Sequence, residues 1–144
     1  MNLDAEKFLA AQEGRTFYPA YETALGEIRR GCKTSHWIWY VFPQLYGLGY
    51  SSTANYYGIQ NLQEAREYMQ HPVLGSRLVE ISQALYEQKG PINYILPSPD
   101  DLKVCSCMTL FREASPETDI FQKVLDKFYN GKPDGRTLGM LKPL

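Results

Sequence analysis

The sequence predicts a mainly α fold: a single compact domain over residues 1–144, with about seven to nine short helices and an aromatic-rich central segment. Apolar residues recur every three or four positions along most of the chain, which is the period of an amphipathic helix. Most of these stretches begin at Ser, Asp, Asn or Pro, and several end at Gly, as helices do. No two alternating runs are joined by Asn-Gly or Asp-Gly, the strongest short-range signal of a β-hairpin.

The first two helices are predicted from their ends and from one apolar face. Asp4 is the candidate N-cap of the first helix, and Gly14 ends it. Pro19 suits the first turn of the second helix, and Gly31 follows its last turn. The apolar residues of the second helix fall at i, i+3, i+4 and i+7: Tyr21, Ala24, Leu25 and Ile28.

Residues 35–57 contain both tryptophans, five of the eleven tyrosines and one of the two histidines. The spacing within residues 36–42 fits a strand as well as a helical turn, so the local structure stays open. Trp and Tyr combine a large apolar surface with an N–H or O–H group that needs a partner. The segment is therefore interpreted either as ordinary core or as the wall of a ligand site.

Helix starts recur through the second half of the chain. Asn61 and Glu64 have the spacing of a capping box, and Pro72 suits the first turn of a helix that runs to Gly90. The following segment, GPINYILPSP, contains three prolines and predicts irregular structure. The remaining predicted starts are Ser98 with Asp101, Ser115 with Pro116, and Asp134.

Composition and motifs exclude several classes of protein. The net charge is −1 and the pI about 6.1, so the chain lacks the basic surface that binds duplex DNA. No apolar run is long enough to span a membrane, and the acidic N-terminal segment does not resemble a signal peptide. Three cysteines are too few for a secreted disulfide scaffold, which predicts a cytoplasmic protein with reduced thiols. With two histidines and no nucleotide-loop motif, neither a metal nor a cofactor is expected.

Charged clusters flank the aromatic segment. Arg29, Arg30 and Lys33 lead into it, and they form either a solvated helix end or the receptor for a phosphate group. Asp100 and Asp101 lie in the first turn of a later predicted helix. There they either complement the helix dipole or supply a catalytic carboxylate.

Several sequence words resemble one bacterial family nearly end to end. They are FLAAQ, YETALGEIRRG, HWIWYVFPQL, GLG, HPVLG, MTLF and TLGML. The chain resembles the domain-of-unknown-function 1810 family, and this resemblance implies a mainly helical fold. Some members carry the label calpastatin, but calpastatin is a disordered inhibitor and this sequence has capped, aromatic-rich helices. The chain departs from the family at Cys105 and Cys107, where a basic or polar residue and a serine are expected.

A more distant resemblance concerns the order of the segments. A Ser-rich turn, an aromatic helix, an EA helix, a P-x-x-G-x-x-L helix and a K-x-x-x-M helix follow one another, as in the NADAR group. That resemblance implies a link to NAD and ADP-ribose metabolism and to N-glycosidases. The group has a glutamate and a lysine near its aromatic helix, where this chain has Ala54, Asn55, Gln60 and Asn61. The resemblance therefore implies ligand binding more directly than the same catalytic mechanism.

The leading functional hypothesis is a small-molecule pocket for a nucleotide-like or ADP-ribosyl ligand. The candidate ligand-binding residues are His36, Trp37, Trp39, Tyr40, Gln44, Tyr46, Arg29, Arg30 and Lys33. We expect His36, Trp39 and Gln44 to converge on one cavity. If the protein is an N-glycoside hydrolase, Asp100 or Asp101 is the catalytic carboxylate. The alternative is a non-enzymatic interaction module that binds a protein partner through its aromatic surface. The oligomeric state stays open.

Overall fold

The mainly α prediction is confirmed by the computed structural model, which describes residues 3–142. This part of the chain contains ten helices and no β-strand. The helices are α1 (Ala5–Gln12), α2 (Tyr21–Arg29), α3 (Ile38–Val41), α4 (Ser52–Tyr57), α5 (Leu62–Gln70), α6 (Leu74–Tyr86), α7 (Ile92–Ile95), α8 (Asp100–Ala114), α9 (Ile120–Phe128) and α10 (Gly135–Leu141).

Two of the ten helices are single turns of four residues, which is why the described helices outnumber the expected seven to nine. One of them, α7, lies inside the proline-rich segment that predicted irregular structure. The other, α3, settles the local structure of the aromatic segment as a helical turn. An isolated parallel bridge between Leu45 and Ile59 then joins the two ends of the loop that carries α4.

The helix ends follow the sequence signals only in part. The Asn61 side chain accepts the N–H of Glu64 at 2.9 Å, which is one half of a capping box, whereas the Glu64 carboxylate accepts the N–H of Gln60 rather than that of Asn61. Asp134 caps α10 through the N–H of Thr137. Asp4 occupies the N-cap position of α1 without a side-chain capping bond. Ser115 does not start a helix: it is the C-cap of α8, and α9 begins four residues later than that signal, after Asp119.

The core lies around α8, which packs against α5, α9 and α10. One apolar face of this helix, formed by Val104, Met108 and Phe111, is completely buried. Phe111 contacts the Tyr68 ring of α5 and the Phe121 ring of α9, at centroid distances of 5.3 Å and 6.0 Å. Because α8 packs against three other helices, its position is fixed, and so is the position of its first turn. No helix within residues 3–142 has the length and apolar character needed to cross a bilayer.

Candidate functional site

A cleft of about 350 Å³ lies between the segment 33–39 and the start of α8. We call it the lysine cleft. Its polar lining residues are Lys33, Thr34, Ser35, His36, Ser98, Asp100 and Lys103. Trp39 and Ile38 form its apolar part, together with two prolines of the turn before α8. A concave site with a few convergent polar groups beside an aromatic ring is typical of small-molecule sites.

The charges of the lysine cleft are centred on Asp100. Lys33 Nζ lies 2.8 Å from Asp100 Oδ2, and the side chains of both residues are largely buried. Lys103 Nζ lies 3.7 Å from the other carboxylate oxygen, and 27% of its side chain is exposed. Two ammonium groups therefore face one carboxylate, and the excess of one positive charge favours an anionic ligand.

Trp39 supplies the aromatic side of the lysine cleft. Its ring is half-buried, and Lys103 Nζ lies 5.9 Å from the ring centroid. Tyr18 packs against the indole with ring centroids 5.4 Å apart, so the orientation of Trp39 is supported by a neighbouring ring. An aromatic face next to a cation is the combination that binds a planar ring carrying a nearby negative charge.

Glu27 of α2 holds the segment that forms one side of the lysine cleft. One carboxylate oxygen accepts the N–H groups of Thr34 and Ser35 and the Trp37 indole N–H, at 2.7, 3.0 and 2.8 Å. The other oxygen accepts the Ser35 hydroxyl at 2.5 Å. Burial acts to raise the pKa of Glu27, but the hydrogen bonds from Ser35, Thr34 and Trp37 outweigh it and lower the pKa to about 2. The carboxylate thus stays ionised at neutral pH and fixes the cleft-lining backbone.

A second cleft, of about 290 Å³, adjoins the first. We call it the arginine cleft, and its lining residues are Gln44, Leu48, Pro99, Leu102, Lys103, Ser106, Asp134 and Arg136. Pro99 and Lys103 line both clefts. The two clefts therefore meet at the first turns of α8.

The structure brings four candidate residues from the sequence into one place. Lys33, His36, Trp39 and Asp100 all line the lysine cleft. Gln44 lines the arginine cleft instead. Trp39 and Gln44 also line a narrow pocket with Lys103, but His36 does not. None of these three concave surfaces is therefore lined by all of His36, Trp39 and Gln44.

Two aromatic candidates belong to the core. Trp37 is completely buried, and its indole N–H is bound to Glu27. Tyr40 is also completely buried, and its hydroxyl donates to the carbonyl oxygen of Pro19 at 2.5 Å. Because both rings are packed on all sides and their polar groups are satisfied, neither offers a face to a ligand in this structure.

The other candidates lie away from the lysine cleft. Tyr46 is exposed and lines a separate groove with Gln60 and Met140. Arg29 and Arg30 are exposed at the end of α2, where cations complement the helix dipole. The side chain of Asp101 accepts the backbone N–H of Leu102 at 2.9 Å and does not line the cleft.

Sequence reasoning did not select Glu27 or Lys103. Glu27 is one charged residue among several on α2, and its partners lie seven to ten residues further along the chain. Lys103 follows Asp100 by three positions, which places both on one face of α8. That spacing was the available signal for Lys103, whereas no local pattern marked Glu27.

The fold and the cleft define a class of small, mainly α protein with a mixed-charge, aromatic-sided cleft. The chain belongs to the family described as "Protein of unknown function (DUF1810)", whose model matches residues 2–141. It is similar to the conserved hypothetical protein Rv1873 from Mycobacterium tuberculosis, whose crystal structure was determined at 1.38 Å. The two chains are 42% identical, each is covered to 99%, and the TM-score is 0.93. No curated protein matches the chain significantly. Within residues 3–142, no three His, Cys, Asp or Glu side chains form a metal-binding group.

Proposed function

We propose that the lysine cleft binds a nucleotide-type ligand, with ADP-ribosyl compounds as the leading candidates. The observation that carries the proposal is the Lys33–Asp100–Lys103 cluster beside the Trp39 ring, in a cleft of about 350 Å³. In this arrangement the base stacks on Trp39 and a phosphate lies against Lys103. The distant NADAR resemblance supports an ADP-ribosyl ligand rather than another aromatic anion.

The two lysines have different roles in this proposal. Lys33 is bound tightly to Asp100, with only 6% of its side chain exposed, so it mainly fixes the carboxylate. Lys103 lies further from Asp100 and is more exposed, so its ammonium group is available to an incoming phosphate. His36 and the Thr34 hydroxyl line the same cleft and are placed to hydrogen-bond a ribose.

A hydrolytic form of the proposal assigns the chemistry to Asp100, because Asp101 does not line the cleft. Asp100 would stabilise the positive charge that develops on a ribosyl ring as its N-glycosidic bond breaks. The bond between the anomeric carbon and nitrogen breaks with its electron pair going to nicotinamide, which leaves as a neutral molecule. Water then adds to the anomeric carbon, and its proton is released to solvent. Release of nicotinamide from NAD, lost in Asp100→Asn, would support hydrolysis. No release at saturating NAD would restrict the proposal to binding.

The binding test uses the two tryptophans. ADP-ribose is expected to change the emission of the wild-type protein saturably, because it stacks on Trp39 while Trp37 stays buried. Trp39→Phe removes the reporter and keeps a stacking face, so calorimetry should still detect binding. Trp39→Ala should weaken binding by roughly five- to a hundred-fold, on the basis of about 1–3 kcal/mol for stacking one base. Added salt should weaken binding further, because Lys103 is partly exposed.

A flat titration to millimolar concentration with adenine, guanine and NAD-derived compounds would contradict the proposal.

The interaction module would then be the better hypothesis, and one surface favours it. Phe17 is fully exposed, and with Tyr18 and Tyr56 it lines a groove of about 450 Å³. Exposed aromatic clusters of this kind are typical of protein-binding hot spots. Its test is sedimentation across a concentration series, where Phe17→Ser should abolish any self-association of the wild-type chain.

A further inference from the structure

Lys103 is the residue at which the concave surfaces of this face meet. It lines the lysine cleft, the arginine cleft and a narrow apolar pocket between Trp39 and Gln44. Because Pro99 also lines both clefts, they share an edge formed by the start of α8. A ligand bound in one cleft therefore lies next to the other, with Pro99 and Lys103 at their common edge.

The cleft volumes favour one ligand across both. Small-molecule sites usually measure about 300–1,000 Å³. At about 350 Å³ and about 290 Å³, each cleft alone is at the low end of this range. The joined groove lies well within it, and it matches a ligand larger than a mononucleotide.

The charges near the shared edge favour the binding of an anionic part of a ligand there. Asp100 is held by Lys33, and Asp134 accepts both the N–H and the hydroxyl of Thr137 as the cap of α10. Asp100 is thus paired with a cation, and one oxygen of Asp134 is occupied by Thr137. None of the ion pairs among residues 3–142 uses Arg136. Lys103, at the shared edge, and Arg136, in the arginine cleft, therefore remain as the two cations that a ligand can engage.

The far end of the groove suits a second organic group. In the arginine cleft, Leu48 and Leu102 supply apolar surface, while Gln44 and Ser106 supply polar groups. A mixed lining of this kind fits a sugar or a ring bearing hydroxyl groups, and it fits a bare phosphate poorly.

We infer that the two clefts form one bipartite site for a nucleoside diphosphate esterified at its terminal phosphate. The inference rests on the proposed nucleotide binding and extends it. The nucleoside occupies the lysine cleft on Trp39, the phosphates lie against Lys103 and Arg136, and the second substituent occupies the arginine cleft. Arg136 is thus a specificity-determining residue: it separates two-part ligands from mononucleotides.

The test compares AMP with ADP-ribose by calorimetry on the full chain. Wild type should bind ADP-ribose at least about tenfold more tightly than AMP, because only the larger ligand reaches both Arg136 and the remaining lining of the arginine cleft. Arg136→Ala should weaken ADP-ribose about fivefold, equivalent to about 1 kcal/mol for an exposed charge contact, and leave AMP unchanged. Lys103→Ala should weaken both ligands. Arg66→Ala, at an exposed arginine that lines neither cleft, is the matched control.

The outcomes distinguish a failure of nucleotide binding from a failure of the bipartite site alone. If wild type binds neither ligand, the nucleotide proposal fails and this inference fails with it. If wild type binds both ligands equally, or if Arg136→Ala weakens both equally or neither, the bipartite site is overturned and nucleotide binding stands. An unchanged circular dichroism spectrum and melting midpoint for Arg136→Ala assign a selective loss of affinity to the ligand contact.

Discussion

At the scale of single residues, one buried carboxylate organises the cleft. Glu27 accepts hydrogen bonds from three residues of the segment after α2, and only 3% of its surface is exposed. Hydrogen bonds to an ionised acceptor are stronger than those between neutral groups, so the segment is held more firmly than a surface loop. The conformation of Thr34 and Ser35 in the lysine cleft therefore depends on the charge of Glu27.

Replacing Glu27 by Gln should reduce the free energy of unfolding by about 2 kcal/mol at neutral pH, because the charge-assisted hydrogen bonds are lost. Urea unfolding measures this difference. Glu22→Gln, which alters an exposed carboxylate on the same helix, should change stability by less than about 0.5 kcal/mol. Equal effects of the two substitutions would show that the Glu27 network contributes no special stability.

The same carboxylate predicts a pH dependence. Its pKa is about 2 in the folded protein, against a usual 4.5, so its ionisation contributes roughly 3 kcal/mol to stability at neutral pH. A lowered pKa gives stability that is complete above about pH 4.5 and is lost as the pH falls toward 2. The stability difference between wild type and Glu27→Gln should therefore shrink over this range. A difference that stays constant on acidification would contradict the assignment.

The candidate site could be predicted from the sequence only as far as local chemistry reaches. Aromatic and charged composition selected Lys33, His36, Trp39 and Asp100, which do share a cleft. Composition could not distinguish Trp39 from Trp37 as the ligand-facing ring. Both the strand spacing and the helical spacing considered for the segment allowed either ring to face a ligand. The difference lies in the buried Glu27 partner of Trp37, a contact between elements that no local pattern encodes.

At the scale of elements, the Lys33–Asp100 pair joins the segment after α2 to the first turn of α8. The Lys33 backbone N–H also donates to the carbonyl oxygen of Ile95 at 2.7 Å, which adds α7 to the same junction. Removing one partner of a fully buried ion pair costs about 3–5 kcal/mol. These side chains keep 6% and 17% exposure, so a smaller cost is expected.

Asp100→Asn should lower the free energy of unfolding by about 2 kcal/mol, because it leaves the Lys33 charge buried and unpaired. In a double-mutant cycle with Lys33→Met, the coupling should exceed about 1 kcal/mol. The matched cycle with Lys103→Met should give less than about 0.5 kcal/mol, because that pair is longer and more exposed. Similar coupling energies in both cycles would show that the Lys33–Asp100 pair is no stronger than the more exposed Lys103–Asp100 pair.

The HPVLG segment, residues 71–75, forms the turn between α5 and α6, and two of its residues have defined structural roles there. His71 Nδ1 accepts the N–H groups of Val73 and Leu74, each at 3.2 Å, and so caps the start of α6. Gly75 then packs against the last turn of α5, where a Cβ atom would lie 2.2 Å from the carbonyl oxygen of Met69. Backbone atoms at this distance cannot move aside without separating the two helices.

Gly75→Ala should therefore destabilise the protein by about 2 kcal/mol, within the usual cost of overpacking, although Ala is the better helix former. Gly139→Ala is the matched control within α10, because a Cβ atom there meets nothing within 4 Å. It should be neutral or stabilising by up to about 1 kcal/mol. Thermal and urea unfolding of both variants measure the contrast, and a stable Gly75→Ala protein would contradict the close helix contact.

Elements with a full apolar period were predictable, whereas single turns were not. The apolar face predicted for the second helix, Tyr21, Ala24, Leu25 and Ile28, is the buried face of α2 in the structure. A four-residue turn such as α3 or α7 is shorter than two helical turns, so it carries no period to detect. Ser115 and Pro116 carried a start signal, but tertiary packing ended α8 there and began α9 at Ile120.

At the scale of the whole molecule, the three thiols lie at increasing depth. Cys32 is exposed, Cys105 is half-buried with its thiol 3.8 Å from the carbonyl oxygen of Lys132, and Cys107 is completely buried in α8. Burial raises the pKa of Cys105 to about 11 and that of Cys107 well above its usual value. Since the thiolate is the reactive form, burial and a raised pKa both slow the reaction of Cys105 and Cys107 with a thiol reagent.

A disulfide reagent at mildly alkaline pH should therefore modify the native protein in stages. Cys32 should react first and Cys105 more slowly, while Cys107 should react only when the α8 core opens. If reclosing is faster than modification, the Cys107 rate follows the population of the open form. Gly75→Ala, at about 2 kcal/mol, should raise that rate roughly thirtyfold and leave the Cys32 rate unchanged. Mass spectrometry of quenched samples assigns each site, with urea-unfolded protein as the reference for full reaction. Modification of Cys107 at the Cys32 rate in the native protein would contradict a single cooperative core around α8.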